Sequence, residues 1–96
     1  MKYKTKSLLI GRMYKNEGDD FRTVSIKLFD VNNPHKTTKF PKETLEYPNI
    51  EKVKLNGLNP IYYSEGNDII INDLQSVDMK IEKTTIVITG VQKASK

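Results

Sequence analysis

The chain has 96 residues, of which 36% are hydrophobic and 29% charged. This length leaves room for one small hydrophobic core, so we predict a single domain over residues 1–96. Cysteine is absent, which excludes disulfides, thiolate metal sites and a cysteine nucleophile and is typical of a reducing cytoplasm.

The amino terminus reads MKYKTKSLLIGR, a basic start followed by a short apolar run. That run, residues 8–10, is much shorter than a signal-peptide core or a membrane span. The sequence therefore predicts an unprocessed, soluble, cytoplasmic protein without a membrane partner.

Positive charge is concentrated in the first half of the chain. The net charge is +4; residues 1–42 hold ten Lys and Arg against four acids, and residues 43–96 hold six against eight. This distribution favours a polyanion or an acidic partner. Five of the lysines are at positions 2, 4, 6, 93 and 96. We predict flexible basic tails at residues 1–6 and 92–96, for which solubilisation is the simpler explanation.

The first predicted elements form a hairpin. An apolar strand over Ser7–Tyr14 leads into the turn KNEGDD and a second, alternating strand. In that second strand Val24, Ile26 and Leu28 form the predicted core face, which by ideal alternation they share with Arg22. The opposite face carries residues Phe21, Thr23, Ser25, Lys27 and Phe29.

The middle of the chain predicts shorter elements. After the turn-rich loop DVNNPHK we expect a short strand over Thr37–Phe40. Pro41 ends that strand or begins one helical turn, which Pro48 stops. The following segment, IEKVKL, alternates as a strand and ends at NGLNP.

Four further strand signals, IYYS, DIIIN, VDMKIE and TTIVITGV, complete the chain. The last two form a predicted hairpin across Lys83 and Thr84, with Val77, Met79 and Ile81 facing inward. Short strands at this spacing with little helix predict an all-β fold. We expect a five- to six-stranded OB-like or SH3-like barrel, with a β-sandwich as the alternative.

Catalytic and metal sites receive little support. His35 is the only histidine and lies beside Lys36 in a turn-rich loop, where a solvated role is the simpler interpretation. The adjacent carboxylates Asp19 and Asp20 are explained by turn formation, and the glycines form no phosphate-binding cluster. We predict a non-enzymatic protein without a metal or cofactor.

Nucleic-acid binding has better support because single strands are held by cationic grooves and by exposed aromatic rings. Arg12, Tyr14 and Lys15 cluster at the end of the first strand, next to the Lys27 face of the second. Tyr62 and Tyr63 offer further rings and face opposite ways, so one of them belongs to the core. The simpler interpretation of Phe21 and Phe29 is packing beneath a loop or a second layer.

The segment LLIGRMYKNE resembles the beginning of OB-fold single-stranded DNA-binding proteins of bacteria and phages. On that resemblance Gly11, Arg12 and Lys15 match a strand end and loop that approach the nucleic-acid backbone. The chain departs from that family in lacking Trp and in ending with the basic QKASK instead of an acidic tip.

The segment KFPKETLEYPNIEKVKLNGLNP is similar to small auxiliary proteins of Gram-positive conjugative elements, some of which assist a helicase. The matching positions are Pro41, Val53, Leu55, Asn59 and Pro60. Both resemblances imply DNA transactions without enzymatic activity, and the second implies a helicase or another replication protein as partner.

Together these observations predict an accessory protein of a mobile element or phage that binds single-stranded nucleic acid during replication or transfer. Phosphates would be neutralised by Arg12, Lys15, Arg22 and Lys27, and bases would stack on Tyr14, Phe29 or Tyr62. The sequence leaves open RNA instead of DNA, and a homo-oligomer. The alternative is an interaction module that docks on a larger enzyme or defence protein through an edge strand or exposed tyrosines.

Overall fold

The structure, a computed structural model, describes residues 2–11, 14–15, 22–34, 40–63 and 68–93, and for 14–15 and 62–63 the backbone alone. This part of the chain is built from strands without an α-helix, as the sequence predicts. The strands are β1 (Lys2–Tyr3), β2 (Ser7–Ile10), β3 (Tyr14–Lys15), β4 (Arg22–Phe29), β5 (Glu43–Ile50), β6 (Lys52–Asn56), β7 (Ile61–Tyr63), β8 (Asp68–Ile71), β9 (Leu74–Glu82) and β10 (Thr85–Gln92).

The strands form two sheets. Sheet 1 has the order β1-β9-β10-β6, and its β6–β10 pair is parallel. Sheet 2 has the order β3-β4-β2-β8-β7, and β5 pairs with β4. Because residues 26–28 of β4 pair with both β2 and β5, these two strands lie on opposite edges of β4.

Four connections run from one sheet to the other: β1 to β2, β5 to β6, β6 to β7, and β8 to β9. Backbone hydrogen bonds hold the bends, with the Leu74 N–H donating to the Lys6 carbonyl at 2.8 Å and the Glu51 N–H donating to the Thr84 carbonyl at 2.7 Å. The chain thus passes repeatedly between the two sheets, which are not closed into one continuous barrel. The structure confirms the predicted all-β fold, whereas the closed OB-like or SH3-like barrel expected from the sequence is not formed by the described residues.

One buried cluster draws on both sheets, which explains the alternation in the sequence. The predicted core face of β4, Val24, Ile26 and Leu28, is fully buried. Its partners in the cluster are Leu8, Ile10, Ile50, Leu58, Ile71, Leu74, Val77, Met79, Ile86 and Ile88. The hairpins that place these residues include the predicted turn at Lys83, which has a positive φ of 57°.

The helical turn predicted after Pro41 is wrong, because that segment is β5. Leu45 and Tyr47 are half-buried while Thr44 and Glu46 are exposed, so the period is 2. Pro48 lies where the register of β4 and β5 shifts, between the pairs of Val24 and Arg22. A proline is tolerated at such a bulge since its missing N–H falls outside the regular ladder.

The inward position predicted for Ile81 is also wrong, because this side chain is 45% exposed. Lys80 and Glu82 on either side of it are exposed as well, so Ile81 lies where the end of β9 extends beyond the core. The strand predicted over Thr37–Phe40 lies outside the described residues apart from Phe40, which precedes β5 and belongs to no strand.

The parts of the two predicted tails that the structure describes contact the rest of the fold. Lys2 and Tyr3 pair with β9, and the buried Thr5 hydroxyl lies 2.9 Å from the Phe29 carbonyl. At the other end Gln92 belongs to β10, and the Lys93 N–H donates to the Asp73 carbonyl at 2.7 Å. Residues 1 and 94–96 lie outside the described part.

Candidate nucleic-acid interface

A groove of about 580 Å³ lies where the bend between β1 and β2 meets the bend between β8 and β9. It is lined by Lys4, Thr5, Lys6, Asp30, Lys42, Leu74, Gln75 and Lys93. Four cations and one carboxylate give this lining a formal charge of +3. We call this concave surface the lysine groove.

The amino-terminal lysines reach the groove because their segment is extended. Thr5 is buried, and Lys4 and Lys6 on either side of it are exposed, as alternation requires. The backbone of Lys6 is fixed in two directions, since its N–H donates to Phe29 and its carbonyl accepts from Leu74. Both lysines therefore project from a held backbone.

Lys42 enters the groove from the start of β5. Its N–H donates to the Leu28 carbonyl at 2.8 Å, which fixes its backbone against β4. Its ammonium group donates to the Lys4 carbonyl and lies 3.0 Å from Asp30 Oδ1. The carboxylate of Asp30 thus partly neutralises Lys42.

A second groove of about 430 Å³ shares Lys93 with the first, and its other lining residues are Gly57, Asn59, Ile61, Asn72, Asp73 and Gln92. The Gln92 amide donates to the Asn72 carbonyl at 2.9 Å and accepts from the Asn59 N–H at 2.8 Å. The Asn72 amide forms two hydrogen bonds with Asn33, at 2.8 and 2.9 Å. Hydrogen bonds within the protein thus hold these amide groups in place, and together they form one wall of the second groove.

The segment 30–34 anchors this wall to the outer face of sheet 2. The Asn32 amide donates to Asp73 Oδ1 at 2.8 Å, and the buried Ser7 hydroxyl donates to the Val31 carbonyl. Phe29, which pairs with Ser7 where this segment begins, is only 5% exposed. Its prediction as a stacking residue is wrong, because the ring is buried where the chain folds back.

The other predicted site residues, where the structure describes them, do not line the lysine groove. Tyr14 and Lys15 belong to β3, opposite Thr23 and Arg22. Arg22 is exposed, contrary to ideal alternation, because the register of β4 and β5 shifts between Arg22 and Val24. Lys27 is exposed on the outer face of sheet 2. Arg12 and the side chains of Tyr14, Lys15 and Tyr62 lie outside the described part, so their roles stay predictions.

The lysine groove was not predicted from the sequence, although the pattern of the first residues contains a signal for it. The segment KYKTKS alternates lysine with residues that become progressively more buried, from the half-buried Tyr3 to the buried Thr5 and Ser7. Such alternation is typical of a strand with one solvated face. The signal indicates that the first six residues continue into β2.

Among the titratable groups described, Tyr47 has a clearly shifted pKa. Burial raises the pKa of Tyr47 to about 12, with further contributions from Tyr3 and Glu43. Its hydroxyl lies 3.7 Å from the Met79 sulfur and thereby connects sheet 2 with sheet 1. This tyrosine has a structural role outside the lysine groove.

Neither a metal centre nor a membrane helix is found among the residues described. They contain no group of three or more His, Asp or Glu side chains that could hold an ion. They also contain no helix with the length and apolar character needed to cross a bilayer.

Comparisons with protein-family models, with curated proteins and with solved structures give no significant match to this chain. The two resemblances noted in the sequence therefore stay predictions. The lysine groove is the feature of the described structure that bears most directly on function.

Proposed function

We propose that this protein is a non-enzymatic binder of single-stranded nucleic acid, whose sugar-phosphate backbone occupies the lysine groove. The observation that supports this function is the convergence of Lys4, Lys6, Lys42 and Lys93 on one concave surface. Three of these lysines come from opposite ends of the chain, and the fold brings them together.

Phosphate binding suits this surface because each contact with a lysine releases condensed counterions, which favours association at low salt. The neighbouring wall adds to the argument. Its Asn72 and Gln92 amides each donate one hydrogen bond and accept one within the protein, which fixes their orientation and reduces their capacity for reading base edges. We therefore propose binding with little preference for sequence.

The biological setting is proposed from the two resemblances. It is the replication or transfer of a mobile element or phage in the cytoplasm, where the protein would assist a helicase or another replication protein. Paired titrations with DNA and RNA strands of the same sequence decide between these polymers, and a helicase-stimulation assay tests the accessory role.

The central experiment compares two matched double variants by titrating a fluorescent oligothymidylate at several salt concentrations. Lys4→Ala with Lys93→Ala removes two groove charges. Lys54→Ala with Lys80→Ala removes two charges that flank Val87 on the outer face of sheet 1. The change in net charge is the same in both.

We expect the groove variant to bind about tenfold more weakly at low salt. Its salt slope should fall by about 1.4, since each phosphate contact on a single strand contributes about 0.7. The control variant should keep the slope of the unmodified protein. Equal losses in both variants would refute the groove as the site, and absence of binding by the unmodified protein at low salt would refute the function itself.

The interaction module remains a second candidate because of one observation at the edge of sheet 2. Within the described residues β7 pairs only with β8, and Ile61 at its start is 42% exposed. Such an edge can accept an added strand from another protein. This candidate becomes the preferred one if the unmodified protein binds neither DNA nor RNA.

A further inference from the structure

Phe40 is the most exposed of the large hydrophobic side chains that the structure describes. It is 92% exposed, whereas Val91, the next most exposed of these side chains, is 54% exposed. Single exposed apolar residues are common on protein surfaces, so exposure alone indicates no function. The position of this ring relative to the lysine groove is the informative feature.

Phe40 lies two residues before Lys42, so their Cα atoms are at most about 7 Å apart. Lys42 is fixed by its backbone bond to Leu28 and by its ion pair with Asp30. Pro41 is half-buried between them and restricts the backbone of Phe40 to extended conformations. The backbone of Phe40 is therefore placed next to the groove residue Lys42, and its ring is exposed to solvent.

We propose that Phe40 is the platform on which an unpaired base stacks while the adjacent phosphates lie in the lysine groove. This inference rests on the proposed function and specifies its ligand as nucleic acid with accessible base faces. In a duplex the faces of the bases are stacked on one another, so the ring would have no partner. Phe40 thereby selects single strands over duplexes.

The charge around Phe40 favours a nucleic acid over a protein as the occupant. An aromatic anchor for a protein partner is expected at the centre of an apolar patch with a polar rim. The groove beside Phe40 instead presents four lysines and one carboxylate. An unpaired nucleotide has both a base that can stack on Phe40 and a phosphate that can bind the lysines.

A tryptophan reporter tests the inference directly, because the chain has no Trp of its own. Phe40→Trp introduces one indole at the rim, and stacking of a base on it quenches its fluorescence. Ile81→Trp is the matched control: Ile81 is 45% exposed and lies six residues along β9 from the groove residue Gln75, about 20 Å away. Both variants are titrated with oligothymidylate and with a duplex of equal length.

We expect quenching of Phe40→Trp by the single strand, little quenching by the duplex at equal occupancy, and no quenching of Ile81→Trp. Phe40→Ala should weaken single-strand binding about tenfold and change duplex binding less than twofold. Unquenched Phe40→Trp together with unchanged affinity of Phe40→Ala would overturn the inference. The proposed function would then still stand if the groove lysine variant bound more weakly, so the two failures can be told apart.

Discussion

Positively charged residues are arranged differently at the two ends of the fold, which we call the groove end and the loop end. At the groove end, four lysines from distant parts of the chain line one concave surface. At the loop end, Arg22 at the start of β4 lies opposite Lys15 and is paired on its other side with Ile50. The hairpin turn at Thr84 is bonded there to Glu51 and Lys52.

This difference distinguishes the binding mode that the sequence resemblance implies from the surface that the structure shows. OB-type barrels bind oligonucleotides with the loop between the first two strands and the loop between the last two. The turn between the last two strands, at Thr84, belongs to the loop end, which is also where the sequence predicted Lys15 and Arg22 to bind. The concave surface assembled by the chain termini lies at the other end. Which end binds is therefore the main question for experiment.

Charge reversal at each end in turn is the strongest test of the comparison. Lys4→Glu with Lys93→Glu should lower affinity for a single strand at least about 100-fold, because two attractions become repulsions in a concave site. Arg22→Glu with Lys52→Glu should lower it less than about fivefold, through the general field alone. Affinity is measured by fluorescence anisotropy at low salt. The opposite ranking of the two variants would move the site to the loop end.

Glycine substitutions compare the packing of the two ends. A Cβ at position 90 would lie 2.9 Å from Leu58 Cδ2 and 3.0 Å from the Ser76 carbonyl, beside the groove residue Leu74. Gly90→Ala should therefore lower the free energy of unfolding by about 1–3 kcal/mol, as overpacking does. The measurement is the urea midpoint at constant slope.

Gly11, closer to the loop end, is the matched control. A Cβ there would lie 3.7 Å from the Ser25 carbonyl, an ordinary contact. Gly11→Ala should leave stability unchanged or raise it by about 0.4–1 kcal/mol, since alanine reduces the entropy of the unfolded chain. Comparable losses at both glycines would show that the groove end is no more tightly packed than the loop end.

The sequence predicted the fold better than the site, for a physical reason. Alternation and turn chemistry are local signals, so Val24, Ile26 and Leu28 and the turn at Lys83 could be read directly. The parallel pairing of β6 with β10 and the bends between sheets depend on distant contacts. The convergence of Lys4, Lys42 and Lys93 depends on those bends, so it could not be predicted from local signals along the chain.

Tyr47 lies between the two ends and allows the link between the sheets to be tested by pH. Its pKa is raised to about 12, mainly by burial, from the ordinary value of 10.0. The folded state then holds this proton more tightly than the unfolded state, so its stabilising contribution is complete below pH 10 and is lost as the pH rises toward 12. Stability should therefore fall across this window.

Tyr47→Phe removes the proton and should make the urea midpoint fall less steeply between pH 10 and 12 than it does in the unmodified protein. Lysines and other tyrosines titrate in both proteins, so the comparison isolates Tyr47. If the stability of both proteins depended on pH in the same way, the raised pKa of Tyr47 would be contradicted. The contact of its hydroxyl with Met79 would then contribute little to the link between the sheets.

The smallest expected effect concerns Asp30, the carboxylate within the lysine groove. A phosphate entering the groove must compete with Asp30 for Lys42, whose ammonium lies 3.0 Å from Oδ1. The side chain of Asp30 is mostly exposed, so this surface ion pair contributes at most about 1 kcal/mol. Asp30→Asn should therefore tighten single-strand binding up to about fivefold.

Glu82→Gln provides the control, because it removes the acid of the Lys80–Glu82 pair, 3.3 Å apart on sheet 1, with the same change in net charge. Equal tightening in both variants would indicate that the net charge of the protein alone determines the affinity. Weaker binding by Asp30→Asn would mean that the carboxylate positions Lys42 for the ligand instead of competing with it. Tightening confined to Asp30→Asn would show that the groove, and not the general charge of the protein, holds the phosphates.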